Sequence, residues 1–157
     1  MPPKPVRVHI NRLVDEVYAY MTDLRHLPEW LEDVNRVQLE PPSPLRVGTR
    51  IMVEFRAPLG GRMIWVNEVA EYDPLNLVYA ERYVQGLFPV AGRWTYEPDG
   101  DGCYVSLVII DWRPDGLTKL MEPLIAMNFQ QTYRKGFAKL KRILEASAVG
   151  GRAPSPV

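Results

Sequence analysis

The stretch LTKLMEPLIAMNFQQTYRKGFAKLKRILEA, residues 117–146, decides how the rest of the chain must fold. Leu120, Met121, Leu124, Ile125, Phe129, Tyr133, Gly136, Phe137, Leu140, Ile143 and Leu144 recur at three- and four-residue intervals. That is the spacing of a helix burying one face. Gln130, Gln131, Arg134, Lys135, Lys139, Lys141, Arg142 and Glu145 lie opposite. Pro123 has no backbone donor and suits a first helical turn, so the spacing predicts a continuous helix over 123–147, preceded by a short turn or helix at 117–121. Gly150-Gly151 and a Pro-containing tail then stop it. Asn128 and Thr132 interrupt the stripe in its N-terminal half, which is therefore expected to face something other than a dry core.

The remaining residues supply what covers that stripe. Val6, Val8 and Ile10 alternate with polar residues as in a half-buried strand, and from Leu13 the spacing turns helical through Met21. Leu27–Leu31 reads as another short helix. Strands follow at Val34–Glu40, Arg50–Arg56, Met63–Val69, Leu77–Val84, Val90–Tyr96 and Tyr104–Trp112, divided by Gly60-Gly61, Asp73-Pro74 and Pro98-Asp99-Gly100-Asp101-Gly102. Strand, two short helices, six strands and one long helix make an α+β domain, a sheet curving around the helix that it must cover.

At 157 residues and 46% hydrophobic content the chain suits one domain, 6–147, with loose tails at 1–5 and 148–157. The formal net charge is zero, which gives no electrostatic reason to expect nucleic acid. Arg134, Lys135, Lys139, Lys141 and Arg142 form a basic helix face that an anionic membrane would attract, but a solvated face explains it more simply. The single Cys103 forms no intramolecular disulfide, and no N-terminal run has the apolar length of a signal peptide or membrane span, so a reducing cytoplasm is the expected compartment. A monomer and a homodimer are equally compatible with these features.

The order of several short motifs resembles the SRPBCC superfamily, the START-like, helix-grip fold of plant pollen allergens and polyketide cyclase/dehydrase-like proteins. They are the strand and helix from Val6 leading to Asp23, Pro28 and Trp30; Val47-Gly48-Thr49; Val69-Ala70-Glu71-Tyr72-Asp73-Pro74; the Pro98–Val105 hairpin; and Phe137-Ala138-Lys139-Leu140-Lys141 to Glu145. Gly102-Cys103 departs from the usual Gly-Thr of that hairpin. The resemblance spans residues 6–147 and implies a seven-stranded antiparallel sheet gripping the C-terminal helix, two short helices between the first strands, and a ligand cavity inside. It implies no single activity, since carriers of lipids and sterols, aromatases, cyclases and hormone receptors share the architecture.

With Val69 and Val105 inward, alternation carries Met63, Trp65, Asn67, Leu107, Ile109 and Asp111 inward, with Trp94 and Tyr96 beside them. The helix and its lead-in would offer Met121, Ile125, Asn128 and Phe129. An aromatic and Met-rich wall with few polar groups suits a cavity for a hydrophobic or aromatic small molecule; a filled core is the plainer alternative. Asp111 could serve a ligand, or could pair with Arg93 or Arg113 at the sheet edge. Leu87 and Phe88 lie in a loop, where they would gate a cavity or pack on a helix end. His9 and His26 lack a second ligand at metal spacing, Cys103 lacks an adjacent base, and the glycine pairs read as turns. No residue stands out as catalytic, and neither a cofactor nor a metal is expected. Binding of a hydrophobic or aromatic molecule, as a carrier or by sequestration, leads; a polyketide cyclase/dehydratase-like enzyme is the alternative.

Overall fold

The computed structural model describes residues 1–57 and 59–152, with 148–152 given by backbone alone. The elements run β1 (Val6–Ile10), α1 (Val14–Thr22), a single 3₁₀ turn (Leu24–His26), α2 (Leu27–Trp30), β2 (Val34–Glu40), β3 (Arg50–Arg56) and β4 (Arg62–Asp73). They continue as β5 (Val78–Gln85), β6 (Val90–Asp99), β7 (Gly102–Trp112), α3 (Gly116–Leu120) and α4 (Glu122–Arg152). The seven strands form one antiparallel sheet in the order β1-β7-β6-β5-β4-β3-β2. This is the helix-grip architecture. α4 continues past Gly150-Gly151, where the sequence pattern stops it at 147; residues 153–157 of the expected tail lie outside the described residues. At the other end Pro3 is buried within the 1–5 segment.

The core lies where α1, α2 and the C-terminal half of α4 meet the sheet. Val17, Tyr18 and Met21 from α1, Trp30 and Leu31 from α2, and Phe137, Leu140 and Leu144 from α4 are buried against Ile10, Val69, Val105 and Leu107. Gly136 makes this junction possible. A Cβ there would sit 2.9 Å from Leu31 Cδ1 and 3.1 Å from Trp30 Cε3, so only a bare backbone lets α4 come this close to α2. α4 approaches β1, α2 and α3 most closely, and among the described residues no comparable approach joins it to β4, β5 or β6. The helix is thus clamped at its C-terminal half. Leu124 and Met127 on its first turns are 55% and 51% exposed.

Four bulges modify the alternation, one of them on β2, where Asn35 is skipped between Val34↔Phe55 and Arg36↔Glu54. On β5, Val84 is skipped between the pairs Val66↔Gln85 and Asn67↔Tyr83; on β4, Ala70 is skipped between Val69↔Glu81 and Glu71↔Ala80; on β7, Ile110 is skipped between Ala91↔Asp111 and Gly92↔Ile109. Each extra residue turns the following side chain toward the other face.

Replacing Gly136 by Val forces a branched side chain into the α2 contact, and overpacking of this kind costs about 1–3 kcal/mol. Gly136→Val is expected to lower the urea midpoint accordingly; unchanged stability would show that the clamp is not tight.

Candidate ligand-binding site

The concave face of the sheet opposite the first half of α4 carries a group of residues that are half-buried although they point inward. Met63, Trp65 and Asn67 from β4 lie level with Phe55, Val53 and Ile51 of β3. Across β5, Tyr79, Glu81 and Tyr83 share the face, with Glu81 opposite Val69 on one side and Gly92 on the other. Trp94 and Ile109 continue it on β6 and β7. From α4, Phe129 and Tyr133 look back, with ring centroids 4.7 Å apart. Tyr79 and Trp94 stand 5.5 Å apart and Trp65 and Tyr83 6.5 Å apart.

At the middle of these rings is a carboxyl. The Tyr79 hydroxyl donates to Glu81 Oε1 at 2.7 Å and Asn67 Nδ2 donates to Oε2 at 2.8 Å. Burial pushes the Glu81 carboxyl above the usual carboxylate range, against the lowering effect of these two bonds. Burial, and then the Glu81 charge, likewise push the Tyr79 and Tyr133 hydroxyls upward. Glu81 and Tyr133 both keep some accessible surface. Asn67 Oδ1 is buried and accepts no hydrogen bond.

One end of this face is covered by aromatic contacts. Phe88, buried in the loop between β5 and β6, meets Trp65 at 6.1 Å and Trp112 at 4.8 Å, and Trp112 meets Phe129 at 6.0 Å. Gly86 lies so close to Trp65 that a Cβ there would be 2.8 Å from the indole, so the loop lies flat on the ring. Trp112 Nε1 donates to Glu122 at 2.9 Å, and Lys119 Nζ donates to the same carboxylate at 2.8 Å. Lys119, the amino terminus and Trp112 hold Glu122 at about 2, well below the usual carboxylate range.

Of the residues that strand alternation and the helix stripe place inward, Met63, Trp65, Asn67, Trp94, Ile109, Ile125 and Phe129 are half-buried, and all but Ile125 are placed by pairing or ring contact on the concave face or opposite it. Tyr96 and Leu107 also point inward but belong to the packed core, Tyr96 edge-on to Tyr18 at 5.0 Å. Three are placed elsewhere. Asp111 follows the Ile110 bulge, which gives Trp112 the inward position; the Asp111 carboxylate is held at the rim by Arg113, at 2.9 to 3.1 Å. Met121 is 44% exposed at the end of α3. Asn128 faces outward on α4, into a polar crevice of about 130 Å³ shared with Glu32, Asp33, Gln131, Thr132, Lys135 and Gly136. Alternation from the sequence misses Glu81 because it fixes no inward residue on β5. The signal is nevertheless present, since Tyr79, Glu81 and Tyr83 share one parity while Arg82 takes the other, paired to Glu68 at 2.9 Å.

A second recess of about 270 Å³ lies between α1 and the β4–β5 turn, walled by Tyr18, Ala19, Thr22, Asp23, Tyr72 and Pro74. Its polar groups are committed, the Tyr18 hydroxyl to Val78 O at 2.6 Å and Asp23 to Arg25 at 2.8 Å. Among the described residues no group of His, Cys, Asp and Glu is arranged to hold a metal ion, and no helix is long and apolar enough to cross a membrane.

The family model described as polyketide cyclase/dehydrase and lipid transport matches residues 5–145. The chain belongs to this family. It is thereby a member of the SRPBCC superfamily, whose helix-grip fold it has. Among solved structures, TTHA0849 from Thermus thermophilus is similar over 93% of this chain and 99% of its own, at 23% identity and a TM-score of 0.74. The Zhui aromatase/cyclase from Streptomyces sp. R1128 aligns over 98% of both chains at 14% identity and a TM-score of 0.75. The di-domain ARO/CYC BexL of the BE-7585A biosynthetic pathway aligns over 94% of this chain and 48% of its own, at 20% identity and a TM-score of 0.74. At these identities the likeness is one of fold. No curated protein matches. The family's description joins polyketide chemistry with lipid transport, so membership sets the class of ligand without dividing carriers from enzymes.

A carboxyl whose pKa is raised on folding keeps its proton in the folded protein above 4.5, where the unfolded chain has lost it. Its contribution to stability is complete below that value and is lost as pH rises through the folded pKa. Glu81→Gln, which cannot ionise, is therefore expected to gain on the wild type between about pH 4 and pH 8 in urea midpoint, whatever its absolute stability. Parallel pH profiles would show that Glu81 is fully hydrated.

Proposed function

We propose that the protein binds a hydrophobic or aromatic small molecule between the concave face of the sheet and the first half of α4, as a carrier or by sequestration. The observation that carries this reading is the ring of half-buried Trp65, Tyr83, Trp94, Phe129 and Tyr133 around a deep, polar Glu81–Asn67 pair. Tightly filled cores bury most of such rings and satisfy the large majority of their buried acceptors. An apolar lining with a few converging polar groups is the usual composition of a small-molecule site. A reducing cytoplasm, the expected compartment, suits the buried, free Cys103.

Glu81 favours a second reading, a polyketide cyclase/dehydratase-like enzyme. A carboxyl with an upward-shifted pKa, held by Tyr79 and Asn67, has the properties of a general acid or base for enolisation or loss of water. In that case the cavity would turn its ligand over rather than return it.

Native mass spectrometry of freshly purified protein, followed by organic extraction, tests the binding reading. A stoichiometric hydrophobic adduct is expected. Trp65→Leu, which removes one aromatic wall, is expected to weaken rebinding of that compound roughly three- to tenfold, the worth of an aromatic contact beyond area. Incubation of the extracted compound with excess protein separates the two readings: recovery unchanged supports the carrier, and conversion that Glu81→Gln abolishes supports the enzyme.

A further inference from the structure

Glu81 lacks what the buried Glu122 has. Glu122 is met by the Lys119 ammonium, whereas both oxygens of Glu81 are met by neutral donors, and among the described residues no ion pair includes it. The cations of the neighbouring strands are turned the other way: Arg82 pairs with Glu68 and Arg93 with Glu71, on the opposite face of the sheet. No side chain from β5 or β6 can bring positive charge to the inside. The second deficit is in donors. Asn67 Oδ1, beside Glu81, is buried and unmatched, so the polar centre of the site has an acceptor that no protein hydrogen reaches. The third feature is the lining, since Trp65, Tyr83, Trp94, Phe129 and Tyr133 give the site an aromatic wall for an apolar body.

Resting on the binding reading above, we propose that the ligand is an organic cation: an aromatic or otherwise apolar body bearing a primary or secondary ammonium group that docks between Glu81 and Asn67. One N–H of the ammonium donates to a Glu81 oxygen and another to Asn67 Oδ1, which satisfies the orphan acceptor and neutralises the carboxylate together. The aromatic walls take the apolar body. A neutral hydroxyl of the same size meets only one of these needs, because it has one hydrogen and no charge. The titratable groups facing Glu81 are the hydroxyls of Tyr79, Tyr96 and Tyr133, none of them a source of positive charge near neutral pH.

Isothermal titration calorimetry at neutral pH with a matched pair, naphthylethylamine and naphthylethanol, tests this directly. The amine is expected to bind about tenfold more tightly than the alcohol, the difference between a charge-assisted and a neutral hydrogen bond, and Glu81→Gln is expected to abolish that preference. Should Glu81→Gln fail to fold, Asn67→Ala is expected to reduce the same preference. The alcohol binding as tightly as the amine overturns the cation assignment and leaves the binding site standing. Binding of neither compound by a protein that also yields no adduct on extraction overturns both.

Discussion

The close approach of α4 to α2 at Gly136 governs the interior of this protein. With no side chain at that position, the helix backbone comes within a side-chain radius of Trp30 and Leu31, and Phe137, Leu140 and Leu144 are drawn into the core behind it. A helix is stiff over this length, so fixing one half fixes the line of the other. In the first half, Phe129 and Tyr133 face the sheet half-buried, while Leu124 and Met127 remain exposed.

The two deep carboxyls show how the same side chain takes opposite properties from its surroundings. Glu122 at the rim has the Lys119 ammonium and the Trp112 indole N–H, and it stays ionised. Glu81 has a phenol and an amide, and desolvation prevails over both. Alternation in the sheet produces this difference. Arg82 and Arg93 are sent to the convex face by the same period of two that brings Glu81, Trp94 and Tyr83 inside. A buried carboxyl without a cation is costly to keep for stability alone, which is the physical reason to assign it a function.

Much of this is legible in the sequence. The stripe in 117–146, the strand order and the turns at Gly60-Gly61 and Pro98–Gly102 lead to a helix-grip domain, simple alternation places Met63, Trp65, Asn67, Trp94 and Ile109 on the concave face, and the helix stripe places Phe129 opposite it. Alternation holds only as far as the next bulge, and nothing in the residues around Ile110 announces one, so it counts Asp111 inward when Trp112 takes that place. A helical stripe likewise says which face is apolar but not how much of its length is covered. Met121 and Leu124 belong to the pattern and still meet solvent, 44% and 55% exposed. Glu81 escapes notice for a different reason: a charged residue between two tyrosines reads as a surface strand until the partner strands show which face is concave.

The measurement closest to this account is a carbon-13 NMR titration of the side-chain carboxyls in ligand-free protein, with Glu81 assigned by its absence from Glu81→Gln. The Glu81 resonance is expected to titrate above 4.5 while Glu122 stays ionised down to about 2. A Glu81 carboxyl that titrates at the ordinary value would mean that it is in water, and the desolvated interior on which the binding site depends would be contradicted.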